Sequence, residues 1–213
     1  MIYSSGAMRK IRGRLRRVFH AVNPASRKRS ALWQKVESEL FLREIGVKKG
    51  DCLMDFGCGP GNFCVPAASL VGEGGLVYAV DVNPIALAEV KRRAERGKLK
   101  NIRLLEKLPD LPSSGRRCDV VLLYDMLHFL SRTERAELYT ALGALMEPGG
   151  ILSVHLRHLK GDDPSRFFSE MSSSDAVREI EQAGFCAPRA LECRIWHGHG
   201  KVDGNVWNFA WRA

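Results

Sequence analysis

The sequence predicts an α/β protein of three layers. A mostly parallel, seven-stranded sheet carries helices on both faces and ends in an antiparallel C-terminal hairpin strand. Three observations carry this. Strand-like runs alternate with helix-like segments five times from residue 31 onward. A glycine-rich turn joins the first strand to the helix after it. The last two strand-like runs follow one another with no helix between them.

Residues 31–45 read as a helix, with Leu32, Val36 and Leu40 spaced four apart. Residues 52–56 form a short buried strand and 57–61 a tight turn. The next helix covers 62–71, with Pro66 near its first turn, where a missing N–H costs least. Residues 76–81 are the second strand. Asn83 can cap the following helix and Pro84 suits its first position; that helix runs to Arg96 and stops at Gly97. Residues 102–105 and 119–124 are the third and fourth strands. Ser131 and Glu134 make a capping-box pattern, opening a helix that ends before Pro148-Gly149-Gly150. Residues 151–156 are the fifth strand, and 175–183 a helix closed by Gly184. Residues 190–196 and 206–211 pair as a hairpin across a loop rich in Gly, His, Asp and Asn.

A chain of 213 residues, 45% hydrophobic and 27% charged, fits one globular domain (31–213) with a short appendage (1–30). No apolar run approaches the roughly 18 residues of a membrane helix. No apolar segment follows the basic start as a secretory signal requires, so a cytoplasmic protein is expected. The six cysteines form no Cys-x-x-Cys pair and read as free thiols of a reducing compartment.

Charge is uneven. No acid precedes Glu37, whereas ten lysines and arginines do, so the first 36 residues carry +10 and the rest −1 of the chain's formal +9. Met8, Ile11, Leu15, Val18, Phe19 and Val22 fall on one helical stripe with arginines on the other faces. Residues 8–29 are thus a basic amphipathic arm. It suits packing on the domain as a lid, or contact with an acidic partner, a membrane surface or RNA.

The chemistry centres on Asp55-Phe-Gly57-Cys58-Gly59-Pro-Gly61, at the end of the first strand and the start of a helix. Glycines allow backbone to approach a ligand, and the helix N-terminus offers free N–H groups. Asp81 ends the second strand, twenty residues after Gly61, where an acid can accept both ribose hydroxyls of an adenosine. A dinucleotide would want Gly-x-Gly-x-x-Gly, yet position 62 is Asn62. Asp55 stands poorly beside a pyrophosphate and well beside an ammonium group. Capping of the next helix is the competing reading of Asp81, and capping of its own loop that of Asp125.

This glycine loop with Val80-Asp81, the run from Asp119 through Tyr124 and Asp125 to His128, and Pro148-Gly149-Gly150 before the fifth strand resemble the motifs of class I, Rossmann-like S-adenosylmethionine-dependent methyltransferases. The resemblance covers residues 31–213. It implies a cofactor site made of Asp55, Gly57, Cys58, Gly59, Gly61, Asp81, Val82, Glu106, Tyr124 and Asp125. Asp55 would hold the amino group and Asp81 the ribose. Glu106 would stand near the adenine, where the common Gly-Asp-Ala is missing. Tyr124 and Asp125 would lie beside the reacting methyl. The implied reaction uses S-adenosyl-L-methionine, yields S-adenosyl-L-homocysteine and serves a small-molecule acceptor. The alternatives are a cofactor-binding module without turnover and an RNA-directed enzyme using the basic arm.

His128 and His155 are the candidate general bases, with His158 behind them. A buried or solvated structural histidine is the competing reading of His128. A metal site from His155, His158, His197 and His199 is a lesser alternative. Cys58 reads as a small residue in a tight turn, because no lysine or arginine flanks it and methyl transfer needs no protein nucleophile.

Overall fold

The computed structural model describes residues 37–109, 116–160, 171–197 and 200–213. The predicted arm 1–30, the first part of the predicted helix (31–36) and His199 lie outside the described residues.

Seven strands and five α-helices alternate through the described residues. In chain order they are α1 (Ser38–Glu44), β1 (Cys52–Phe56), α2 (Cys64–Val71), β2 (Leu76–Val80), α3 (Pro84–Arg96), β3 (Ile102–Leu105) and β4 (Cys118–Tyr124), then a 3-10 turn (Leu127–Phe129), α4 (Arg132–Leu145), β5 (Met146–His155), α5 (Ser173–Gln182), β6 (Phe185–His197) and β7 (Gly200–Trp211). The sheet order is β3-β2-β1-β4-β5-β7-β6. β1 to β5 pair in parallel, and β7 runs antiparallel to both β5 and β6. This is the predicted architecture, with β7 as the single reversed strand.

Central strands of such a sheet must be apolar on both faces. All five residues of β1 are buried. One apolar cluster joins Leu53, Val120 and Leu122 of the sheet to α1, α2 and α3. The other joins Met54, Val121 and Leu152 to α4 and α5. These two clusters are the two interfaces of a three-layer sandwich.

Local signals act as read. Asn83 caps α3 by accepting from the Ile85 N–H, with Pro84 at the first position. Ser131 and Glu134 close a reciprocal capping box on α4. A second box, Ser172 with Asp175, starts α5 at Ser173, two residues before the predicted start. All six cysteines are free thiols.

Two elements differ from expectation. β5 begins at Met146, so Pro148-Gly149-Gly150 lies within the strand instead of before it. The pairing with β4 jumps from Cys118↔Met146 to Val120↔Ile151, which makes this segment a bulge. A Cβ at Gly150 would stand 2.9 Å from the Glu147 carbonyl oxygen and 3.1 Å from that of Cys118, so the crowded turn requires glycine.

The second correction is the hairpin. Residues 200–205, read as loop, are strand, and the ladder continues to His197↔Gly200. Val202, Gly204 and Val206 alternate with Lys201, Asp203 and Asn205, a period of two hidden by the polar composition. Val206 pairs with both His155 and Leu191. The rungs from Glu192↔Asn205 to His197↔Gly200 therefore extend past the end of β5. Lys201 ties this extension to Glu37 at the entry to α1, at 2.6 and 2.7 Å.

On the opposite face Arg135 of α4 meets Glu179 of α5 through two hydrogen bonds of 2.6 Å. The two side chains are only 8% and 11% exposed. Removing one partner of such a pair strands a buried charge. Glu179→Ala is expected to destabilise the fold by about 3–5 kcal/mol. Urea denaturation checks this: an unchanged midpoint would show that the guanidinium is adequately solvated without its partner.

Candidate active site

The parallel strands present their carboxyl ends at one edge, where open α/β sheets bind ligands. Asp55 is the penultimate residue of β1, Tyr124 ends β4 and His155 ends β5. The loop from β1 to α2 folds over this edge. Gly57, Gly59 and Gly61 have φ of 83°, 51° and 85°, the left-handed region that disfavours a side chain. A Cβ on Gly57 would also collide with the Met126 side chain, which packs beneath the loop.

The loop is pinned by its own N–H groups. Those of Gly57 and Cys58 both donate to the Val80 carbonyl, at 2.8 and 3.0 Å. The Gly59 N–H donates to Asp81 Oδ2 at 2.9 Å, and the Asn83 N–H to Asp81 Oδ1 at 2.8 Å. The Cys64 N–H, at the start of α2, donates to Asp55 Oδ2 at 3.0 Å. Asp81 therefore does not cap α3, which is the work of Asn83. It fastens the loop to the end of β2.

Both acids are buried. Burial pushes the Asp55 carboxyl up to about 7; the Cys64 N–H opposes this and the nearby Asp81 charge reinforces it. Burial also raises Asp81, against the N–H groups of Asn83 and Gly59. The Cys58 thiol is buried, and its hydrogen bond with Cys64, then burial, hold it well above the ordinary thiol range. That is the inert thiol expected of a turn residue.

The other predicted residues divide into two groups. Val82 is buried against the apolar cluster that holds Val80 and Met126. Glu106 is exposed, one residue past β3. Tyr124 is buried; its hydroxyl shares a 2.8 Å hydrogen bond with Ser153. Its ring lies 4.9 Å from Phe63 and 6.1 Å from Phe41, centroid to centroid. His128 lies on the 3-10 turn, buried, with its ring 3.9 Å from Phe129 and 4.4 Å from His158.

Asp125 and His155, thirty residues apart in sequence, meet. Asp125 Oδ1 is 3.1 Å from His155 Nδ1. Asp125 adopts a φ of 55°, a conformation that aspartate tolerates better than most residues. The pairing was not legible, because it depends on the register that sets Tyr124 opposite His155. Among the described residues no group of three or more His, Cys, Asp or Glu stands together to hold a metal.

The residues fit an S-adenosyl cofactor. Asp55 accepts one main-chain hydrogen bond from Cys64, and a carboxylate has several lone pairs to offer an ammonium group. Asp81 accepts one N–H on each oxygen, so each keeps a second lone pair for a ribose hydroxyl. The sheet order and the glycine loop at its carboxyl edge are those of the class I, Rossmann-like methyltransferase fold.

Comparison with known proteins agrees. Residues 53–150 match the family model described as a methyltransferase domain. A segment of 83 residues, 36% of this chain, is 39% identical to the probable cobalt-precorrin-6B C(15)-methyltransferase (decarboxylating) of Pyrobaculum aerophilum and covers 42% of it. A segment of 125 residues, 58% of this chain, is 30% identical to the ubiquinone/menaquinone biosynthesis C-methyltransferase UbiE of Azotobacter vinelandii and covers 47% of it. The chain thus spans less than half the length of either relative. The crystal structure of a SAM-dependent methyltransferase from Aquifex aeolicus superposes with a TM-score of 0.66 at 21% identity, over 98% of both chains.

A raised carboxyl pKa is also a statement about stability. The neutral Asp55 favours the fold at low pH, and that contribution drains away as pH rises through about 7. Asp55→Asn is therefore expected to gain on the wild type between about pH 4 and about pH 7, with the gap level above that. Denaturant titrations without cofactor at several pH values test it. A gap independent of pH would show that Asp55 is ionised in the fold throughout.

Proposed function

We propose that this chain is an S-adenosylmethionine-dependent methyltransferase acting on a small-molecule acceptor. The observation that carries the reading is the Asp55 carboxyl, buried under the glycine loop and pushed up to about 7. A carboxyl in that state gains most from a cation placed beside it. The pyrophosphate of a dinucleotide would instead add negative charge next to two buried acids.

Bound S-adenosylmethionine supplies a methyl group on a sulfonium, already a good leaving group, and leaves as S-adenosylhomocysteine. The chain's work is then to bind, orient and exclude water. Asp55 receives the ammonium, and Asp81 receives the ribose hydroxyls while holding the loop through Gly59. Gly57, Cys58, Gly59 and Gly61 let the backbone come close. Val82 and Glu106 flank the adenine end. Tyr124, its hydroxyl turned to Ser153, walls the side where the methyl is delivered. Asp125 and His128 are the groups at this edge able to take a proton from an acceptor, and His155 stands behind Asp125. The names of relatives that concern a corrinoid precursor, quinones and aklanonic acid support a small-molecule acceptor.

Calorimetric titration tests the reading. S-adenosylmethionine and S-adenosylhomocysteine are expected to bind in the micromolar range, and NAD not to bind. Asp81→Ala is expected to weaken both by about tenfold or more, through two lost hydrogen bonds. Affinity is expected to rise from about pH 6 to about pH 8, because ammonium binding needs the ionised Asp55, and Asp55→Asn removes this slope. Binding of NAD in place of the sulfonium cofactor would overturn the proposal. Radiolabelled methyl transfer to candidate acceptors then separates an enzyme from a binding module.

A further inference from the structure

Asp125 and His155 make a hydrogen-bonded pair at the carboxyl edge, and their burial is unequal. The His155 side chain is fully buried, whereas that of Asp125 is 28% exposed. Both ends of the imidazole face protein. Nδ1 lies 3.1 Å from Asp125 Oδ1. Nε2 points at β7, where a Cβ added to Gly204 would stand 3.4 Å from it. The ring edge turns to Tyr124, with centroids 6.3 Å apart at 90°. A histidine enclosed in this way does not reach a substrate. The carboxylate it holds does.

We propose that Asp125 is the catalytic residue that meets the methyl acceptor and that His155 is a positioning residue that fixes it. The inference rests on the methyltransferase reading above. His155 donates from Nδ1, and the Asp125 carboxylate accepts. An ionised carboxylate only accepts hydrogen bonds, so the acceptor it selects presents an O–H or N–H. As the acceptor's oxygen or nitrogen bonds the methyl carbon, the carbon–sulfur bond breaks with its electrons staying on sulfur. The acceptor's proton passes to Asp125, whose exposed edge returns it to water. Asp125 takes a left-handed backbone conformation directly after β4. Strain of this kind persists where surrounding contacts hold it, and the imidazole is one such contact. The wall beside the pair is aromatic, formed by Tyr124, Phe63 and Phe41.

Two measurements decide the matter. The first is the ring tautomer of His155, read by nitrogen NMR on histidine-labelled protein without cofactor. The Nδ1–H form is expected, with its resonances displaced in Asp125→Asn. An Nε2–H ring, or one untouched by Asp125→Asn, overturns the positioning role whether or not any cofactor binds. The second uses 2-naphthol and its methyl ether as probes of protein saturated with S-adenosylhomocysteine. The naphthol is expected to bind about tenfold or more tightly than the ether, because a site built for a hydroxyl rejects the analogue lacking it. Asp125→Asn should lose this preference and His155→Gln should weaken it. His155→Asn, whose amide can sit where Nδ1–H did, should restore it. Equal affinity, or no affinity for either probe, overturns the assignment of Asp125. Failure of the wild type to bind S-adenosylhomocysteine would instead count against the methyltransferase reading, with the tautomer still deciding the pair.

Discussion

Two carboxylates lie buried side by side under one glycine loop, and the carboxyl edge of the sheet is organised by how they are held. Asp55 is the penultimate residue of β1 and Asp81 follows β2 by one residue, so the pairing of β1 with β2 brings both to one edge. Each would be expelled from a dry site unless main-chain donors met it. The loop supplies those donors: Gly59 to Asp81, and Cys64 to Asp55. The loop can reach both acids only with three residues at positive φ, and the helix that follows can start only once Asp55 accepts its first free N–H. Each acid thus gives one of these N–H groups a side-chain acceptor, and each N–H in turn offsets part of the cost of burying an acid.

The arrangement is poised, because the main chain satisfies the acids only in part. Asp55 sits near neutral pKa where a surface aspartate would be fully ionised. A fold selected for stability alone would put an apolar residue or an amide there. Under the proposed function, retaining the acid keeps local free energy available to a cationic ligand.

What the sequence shows of this is set by distance along the chain. The glycine loop, the Asn83 and Ser131 caps and the alternation of elements are all contained within a few residues, and each is found as read. Asp81 stands one residue past β2, and its bond to Gly59 N–H joins residues 22 apart, which no local pattern reveals. The hairpin was misjudged because its inward positions, Val202, Gly204 and Val206, are interleaved with Lys201, Asp203 and Asn205. The composition signalled a loop where the period signalled a strand. The meeting of Asp125 with His155 needs the β4–β5 register, which the bulge at Pro148-Gly149-Gly150 itself shifts. Composition carries no trace of it.

The same division runs through the comparisons. The family model ends at residue 150, just before Ile151 restores regular pairing with β4. The residues proposed to hold the cofactor all lie before that point, on short local segments. His155, Gly204 and the extended β6–β7 hairpin lie after it and are assembled by strand pairing across the end of the chain. A methyl donor common to many enzymes demands one arrangement of loop and acids, whereas acceptors differ. The two halves meet at Tyr124, which bonds Ser153 and packs on His155. Gly204 shows how close the two halves lie: a Cβ there would reach contact with His155 at 3.4 Å, and His155 meets Asp125. The hairpin is therefore more than an edge to the sheet. Its backbone sets how far the imidazole can move, and the imidazole sets where the carboxylate stands.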